Sequence, residues 1–410
     1  MRIGIDITVL YRAWAGVFTY HYRLIQALLQ VAPPAYEFVL LDYLPLHNGA
    51  THHWAEIEKL AGGRAKVVHV SGLRHRKLSH LSFLQKPGVE TAVTAIDNLL
   101  EPAWLKLTSA VQNAQLSKHM PGVDIFHSSD VLNSAVPGAK SVTTIHDLTT
   151  LILPEYHLPH IQKMQAEKFR FAQEQADAII AVSENTKRDI IRLLNIEPER
   201  IHVVHEGIES GLRPLPVEAI TPTLAAYGLE PESYILHVGT IEPRKNLVRL
   251  IEAYYEVRKA LSQPPKLVLV GRKGWFYEEV YAKVIALDLT KSVLFLDTVT
   301  DEELPAFYNG ALLMVYPTLY EGFGLPALEA MACGTAVVAA NTSSLPEVVG
   351  DAGLLIDPTN ISAIANAITR ILKEPATRHD LSQKSLLRAK KFTWEHVARE
   401  TLAVYEKISS

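Results

Sequence analysis

Glu321 and Glu329 bracket the segment Glu321-Gly322-Phe323-Gly324-Leu325-Pro326-Ala327-Leu328-Glu329, a spacing that can do chemistry. An apolar run, Leu312-Leu313-Met314-Val315-Tyr316, precedes it and reads as a buried strand. An apolar helix follows and ends near Cys333-Gly334. One carboxylate therefore lies in a strand-to-helix turn, and the second lies about two helical turns further on. Pro326 suits the first helical position, where its missing N–H costs nothing. Gly322 and Gly324 let backbone amides approach a ligand closely. A fresh helix N-terminus attracts phosphate. The stretch can hold a phosphate and a hydroxyl-rich group side by side.

The elements that must position these residues are legible along the chain. Short β-branched runs near 2–7, 37–42, 66–70, 123–127, 142–146, 178–182 and 201–204 alternate with amphipathic stretches. A second series lies near 234–239, 266–271, 293–297, 312–316, 335–340 and 353–356. Continuous apolar runs such as Lys266-Leu267-Val268-Leu269-Val270-Gly271 suit parallel strands covered on both faces. The alternation predicts an α/β protein with two Rossmann-like doubly wound domains. The segment 211–232, with Pro214, Pro216, Pro222 and Pro231, reads as the linker. Doubly wound sheets bind ligands outside the carboxyl ends of their strands. That rule selects His146-Asp147, Gly239-Thr240 and the stretch from Pro317 to Gly324. If the two sheets face each other, these ends line one cleft.

Composition narrows the function classes. A chain of 410 residues, 48% of them hydrophobic, has material for two cores. Forty basic against 44 acidic side chains, net −4, argue against a nucleic-acid partner held by bulk charge. The one cysteine, Cys333, permits no internal disulfide and is compatible with a reducing compartment. The start, Met1-Arg2-Ile3-Gly4-Ile5-Asp6, lacks a signal-peptide core, and no apolar run reaches the roughly 20 residues of a membrane span. The expectation is a soluble, cytoplasmic protein. Residues 72–86 are basic and apolar together. They read either as a solvated rim or as a peripheral contact with anionic lipid at the inner face of the membrane.

The Glu321–Glu329 segment closely resembles the signature of the retaining glycosyltransferases of family four, which have the GT-B fold. The resemblance continues through Ala330-Met331-Ala332-Cys333-Gly334-Thr335 and Ser344-Leu345-Pro346-Glu347-Val348-Val349-Gly350. It implies that Glu329 accepts hydrogen bonds from a nucleotide ribose and that Glu321 lies near the donor sugar. Gly322, Phe323, Gly324 and Leu325 then form the diphosphate turn. The stretch Val238-Gly239-Thr240-Ile241-Glu242-Pro243-Arg244-Lys245-Asn246-Leu247 resembles the family's cation-bearing loop, with Arg244 and Lys245 as the cations. Many members carry Arg where this chain has Thr240. A departing nucleoside diphosphate gains negative charge, which preorganised cations stabilise.

His146, in Thr144-Ile145-His146-Asp147, resembles the family's active-site histidine and is expected to reach the donor from the opposite side of the cleft. Gly16, in the first loop beside Trp14, stands where the family often has glycines, and Val299 is a candidate neighbour of the base. The chain holds no Asp-x-Asp triplet, which fits a reaction without a metal. The absence of a Gly-x-Gly-x-x-Gly turn after the first strand weakens a nicotinamide reading.

The resemblance implies two domains, 1–212 on the acceptor side and 213–393 binding the nucleotide-sugar, with the closing helix 394–410 crossing back. It implies a nucleotide-diphosphate sugar as donor, with GDP-mannose favoured by the Glu-Pro-Arg-Lys-Asn wording. No cofactor is expected beyond the donor, and the acceptor is a saccharide or polyprenyl-linked saccharide. The alternatives are another GT-B enzyme, such as a sucrose or trehalose synthase relative or an epimerase, and a non-catalytic nucleotide-sugar-binding subunit.

Overall fold

The computed structural model describes residues 1–11, 16–45, 59, 61–72, 111–297 and 299–409. The segment 73–86 therefore lies outside the described residues, as do Arg12 to Ala15 of the first loop. The earlier strands are β1 (Arg2–Asp6), β2 (Glu37–Pro45), β3 (Ala65–Gly72), β4 (Ile125–Ser128), β5 (Lys140–Ile145), β6 (Ala178–Ala181) and β7 (Ile201–Val203). They form a sheet in the order β3-β2-β1-β4-β5-β6-β7. The later strands are β8 (Tyr234–Val238), β9 (Lys266–Val270), β10 (Val293–Leu296), β11 (Leu313–Tyr316), β12 (Val337–Ala340) and β13 (Gly353–Ile356). Their order is β10-β9-β8-β11-β12-β13. The two doubly wound parallel sheets expected from the sequence are present.

Burial explains these strands. Every residue of β8, β11 and β12 is buried, as an apolar strand covered on both faces requires. Around the second sheet, Leu250, Ile251 and Tyr254 of the helix Leu247–Lys259 and Ile364 and Ile368 of the helix Ile361–Lys373 join one core with Leu267, Leu313 and Val338. Each such side chain contributes about 1.5–3 kcal/mol when fully buried.

Strand order decides where ligands can sit. In the second sheet β8 pairs in parallel with both β9 and β11, so the order reverses between β8 and β11. The loops after those two strands carry Arg244-Lys245 and Glu321. In the first sheet β1 pairs with β2 and β4, and the order reverses between β1 and β4.

By residue contacts the chain divides into two compact units, one of 1–144, 167–180 and 398–410, the other of 145–166 and 181–397. The expected boundary at 212/213 follows the proline-rich stretch instead. That stretch is not simply a linker: Val217–Ala226 is a helix with Pro222 inside it. Ile220 and Leu224, one turn apart, are buried, and their burial offsets the bond missing at Pro222. Among the described residues no helix is long and apolar enough to cross a membrane.

Candidate active site

Two loops of the second unit are sewn together. Asn246, at positive φ, sends its side-chain amide to the carbonyls of Pro317 (2.9 Å) and Pro358 (2.7 Å). The amide of Leu319 donates to Arg244 O at 2.9 Å, and the Thr318 hydroxyl oxygen lies 3.1 Å from the same oxygen. The Glu321 turn is held from the next loop. Glu321 N donates to Ser343 Oγ at 2.9 Å, and Ser344 Oγ donates to the carbonyls of Glu321 (3.0 Å) and Phe323 (2.8 Å). Gly324 has φ +104°, a conformation that glycine supplies without strain, and the helix Leu325–Ala332 starts from it. Pro326 is the second residue of that helix rather than the first, still within the turn that lacks internal acceptors.

The buried centre is ionic. Glu321 Oε1 accepts from Lys245 Nζ at 2.7 Å and Thr318 Oγ1 at 2.8 Å, and Arg244 Nη1 lies 2.8 Å away. Arg244 Nη2 donates to Glu242 Oε1 at 2.6 Å, and Lys245 Nζ also donates to the Tyr316 hydroxyl at 2.7 Å. Burial pushes the Glu321 carboxyl up, but Arg244 and Lys245 outweigh it and hold the group at about 2. Burial lowers Arg244, yet Glu321 and Glu242 beside it raise it above its ordinary value. Burial wins at Lys245, whose ammonium is held below its ordinary value. Two cations and two carboxylates thus balance in a small volume.

Neither cation stands free. Both face Glu321, so an arriving diphosphate must share them with that carboxylate.

His237, buried at the β8 end, underlies this cluster. Its Nδ1 lies 2.9 Å from Val315 O, so that nitrogen donates. The ring stacks on Tyr316 at 5.6 Å, and burial pushes it down to about 4, neutral at physiological pH.

Glu329 has a different environment. It is half-buried, and its Oε2 accepts from the Tyr308 hydroxyl at 2.6 Å. Burial pushes it up to about 7, with Glu209, Asp301 and Glu206 adding repulsion. A carboxyl that titrates there can accept or donate to a vicinal diol.

Residues 145–166 pack in the same unit as Glu321, and with them His146 and Asp147. His146 Nδ1 lies 3.2 Å from Glu206 Oε1. Its carbonyl and that of Gly322 share the Thr186 hydroxyl, at 3.2 and 3.3 Å. The field of Asp147 reaches Arg244. The stretch from Ser344 to Gly350, singled out by resemblance, also meets the helix Glu184–Leu194. Glu347 accepts from the amides of Glu184 (2.9 Å) and Asn185 (3.2 Å), capping the helix Glu184–Leu194, and Asn185 Nδ2 donates to the Tyr320 hydroxyl at 2.9 Å.

The structure thus joins Arg244, Lys245 and Glu321 directly, and Gly322 to the His146 backbone. Phe323 is buried against His205 and Phe392, each 5.8 Å away, so its side chain packs internally. Leu325 begins the helix. Thr240 is partly exposed and leaves no cation at its position; Val299 is partly buried in the loop after β10. Gly16 is the exposed first residue of the helix Gly16–Val31 in the other unit. Sequence reasoning missed Glu242, Thr318, Tyr316, Tyr308 and Glu206. Their only signal was position at strand ends or beside the motifs.

Residues 225–388 match the family model described as glycosyl transferases group 1, and 92–211 match that of glycosyltransferase family 4. The chain is 36% identical over 267 residues to O-antigen chain mannosyltransferase B of Escherichia coli, covering 65% of this chain and 70% of that one. It is 30% identical over 319 residues to D-inositol 3-phosphate glycosyltransferase of Acidothermus cellulolyticus, covering 73% and 70%. Against serotype-specific mannosyltransferase WbdA of Escherichia coli, 31% identical, it spans 34% of that protein's length and 66% of its own. Its fold is similar to sucrose-phosphate synthase from Thermosynechococcus elongatus, with TM-score 0.72, 20% identity and coverage of 99% and 98%. It is likewise similar to Anabaena HepE in complex with UDP and glucose, with TM-score 0.70, 16% identity and coverage of 99% and 100%.

Proposed function

The chain belongs to the group 1 glycosyltransferases of family four, and we propose that it moves a hexose from a nucleotide-diphosphate sugar to a saccharide or polyprenyl-linked acceptor with retention of configuration. The observation that carries this reading is the buried cluster of Arg244, Lys245 and Glu321 at the switch point between β8 and β11. A parallel sheet binds its ligand there, and a leaving diphosphate needs preorganised positive charge there.

In this scheme the C1–O bond to the diphosphate breaks and its electron pair goes to the phosphate oxygen. The acceptor hydroxyl attacks C1 from the same face and forms the new C1–O bond. Its proton passes to the leaving phosphate oxygen. Arg244, Lys245 and the amides of the 322–325 turn receive the diphosphate, sharing the two cations with Glu321. Glu329 holds the ribose. No carboxylate nucleophile is needed, unlike the paired-carboxylate hydrolases. We infer no metal requirement, because Arg244 and Lys245 supply the positive charge.

The mannosyltransferase relatives support mannose as the sugar moved, and we propose GDP-mannose as its donor. A thermal-shift screen of GDP-mannose against UDP-glucose tests that choice, since a selective ligand raises the melting temperature by mass action. Slow hydrolysis of the bound donor, insensitive to EDTA, separates enzyme from binder. It should be lost in Lys245→Ala and Glu321→Ala; variants that hydrolyse donor like the parent would falsify the site assignment.

A further inference from the structure

The other switch point, between β1 and β4, carries a second polar site that the donor scheme does not use. At the end of β1, Asp6 is buried and accepts from the amides of Thr8 (3.0 Å) and Ser129 (3.3 Å) and from the Ser129 hydroxyl. These bonds shape the chain as it leaves β4, and the next residue is Asp130. The Asp130 carboxylate meets Lys168 Nζ, and its Oδ2 lies 3.5 Å from His21 Nε2. Lys168 is 2% exposed and His21 is 1% exposed. Three elements thus converge on one carboxylate: the β4 loop, the helix Gly16–Val31 and the helix Pro159–Glu174.

A buried lysine–aspartate pair is a poor stabiliser, because desolvating both charges offsets their attraction. Its position outside the carboxyl ends of a parallel sheet, where the strand order reverses, is where such folds bind ligands. The groups behind it are ordered. His127 Nδ1 lies 2.6 Å from the Tyr405 hydroxyl, His127 Nε2 lies 2.9 Å from Thr144 Oγ1, and the His21 and His127 rings are 6.4 Å apart.

The chemistry selects a neutral polyol. Lys168 and the His21 ring offer donors, and Asp130 offers acceptors. A sugar hydroxyl both gives and takes a hydrogen bond. Among the described residues one ammonium meets one carboxylate there, which gives no surplus positive charge for a phosphate, and buried Asp6 adds acid. We propose that Asp130, positioned by Lys168 and His21, binds hydroxyls of the acceptor sugar. The proposal rests on the glycosyltransferase reading and names that enzyme's second substrate site.

The test is saturation-transfer NMR of the full chain with methyl α-D-mannopyranoside and methyl α-D-glucopyranoside, in the presence of GDP. The parent should bind at least one glycoside. Asp130→Asn and Lys168→Met should weaken that binding at least tenfold, with Lys168→Arg restoring part of it. The GDP-induced rise in melting temperature, equal in all variants, certifies folding. Variants that bind glycoside like the parent, or a parent that binds neither glycoside, overturn the proposal. A parent whose melting temperature responds to no nucleotide-sugar would instead sink the donor reading, so the two failures are distinguishable.

Discussion

The carbonyl oxygen of His146 occupies the space that a side chain on residue 322 would need: a Cβ on Gly322 would lie 1.9 Å from it. The obstacle is backbone, held by the Thr186 hydroxyl, so no rotamer change relieves it. Gly322→Ala should therefore cost about 1–3 kcal/mol in stability and displace the turn that presents Glu321. Denaturant unfolding and steady-state transfer check both parts; an alanine variant with parental midpoint and rate would show that the contact yields easily.

Glu321 makes stability depend on acid. Its carboxyl is held at about 2, below its ordinary 4.5. A depressed carboxyl contributes stability that is present above the unfolded value and is lost as pH falls from 4.5 through 2. The contribution is about 3 kcal/mol. In Glu321→Gln that acid loss should shrink, while stability at neutral pH drops by about 3–5 kcal/mol as two buried cations lose their carboxylate. Unfolding free energies measured from pH 2.5 to 7 decide; parallel curves for parent and variant contradict the assignment.

Glu329 has the opposite sign. Its carboxyl is raised from 4.5 to about 7, so its contribution is present at low pH and is lost as pH rises through 7. Glu329→Gln can keep the bond from Tyr308 and removes the charge. The variant should gain on the parent by about 1–2 kcal/mol between pH 5.5 and 8.5, yet bind nucleotide more weakly. Melting curves at the two pH values, with and without GDP, report both effects. A gap that does not widen with pH means Glu329 is solvated.

His237 predicts a third pH effect. The ring is pushed from 6.5 down to about 4 by burial, so the neutral form stabilises the fold above 6.5, and that stability is lost as pH falls through 4. His237→Phe preserves the stack on Tyr316 but forfeits the bond to Val315 O, a loss of about 1 kcal/mol at pH 7. Between pH 6.5 and 4 the variant should decline less than the parent. A steeper decline in the variant would mean that the histidine is charged in the folded protein.

Much of the scaffold was readable because its causes are local. Apolar β-branched runs such as Lys266–Val270 make buried strands wherever they occur, and Gly324 permits the turn that starts the next helix. The segment 217–226 was misread as linker, because its prolines outweighed the short Ile220/Leu224 stripe.

The sequence alone determined the strands, the Glu321–Glu329 turn and the Arg244-Lys245 pair, since each depends on neighbours a few residues away. Only the tertiary structure decided what those groups face. Which loops become neighbours follows from strand order, and strand order follows from how whole layers bury their apolar faces. Pairing β8 with β11 brings Glu321 onto Arg244 and Lys245, across 76 residues to Lys245. Pairing β1 with β4 brings Asp6 to Ser129, across 123 residues. The same packing removes water from these groups, which pushes both carboxyls up; at Glu321 the neighbouring Arg244 and Lys245 outweigh that burial and hold it at about 2, whereas at Glu329 burial prevails and raises it to about 7.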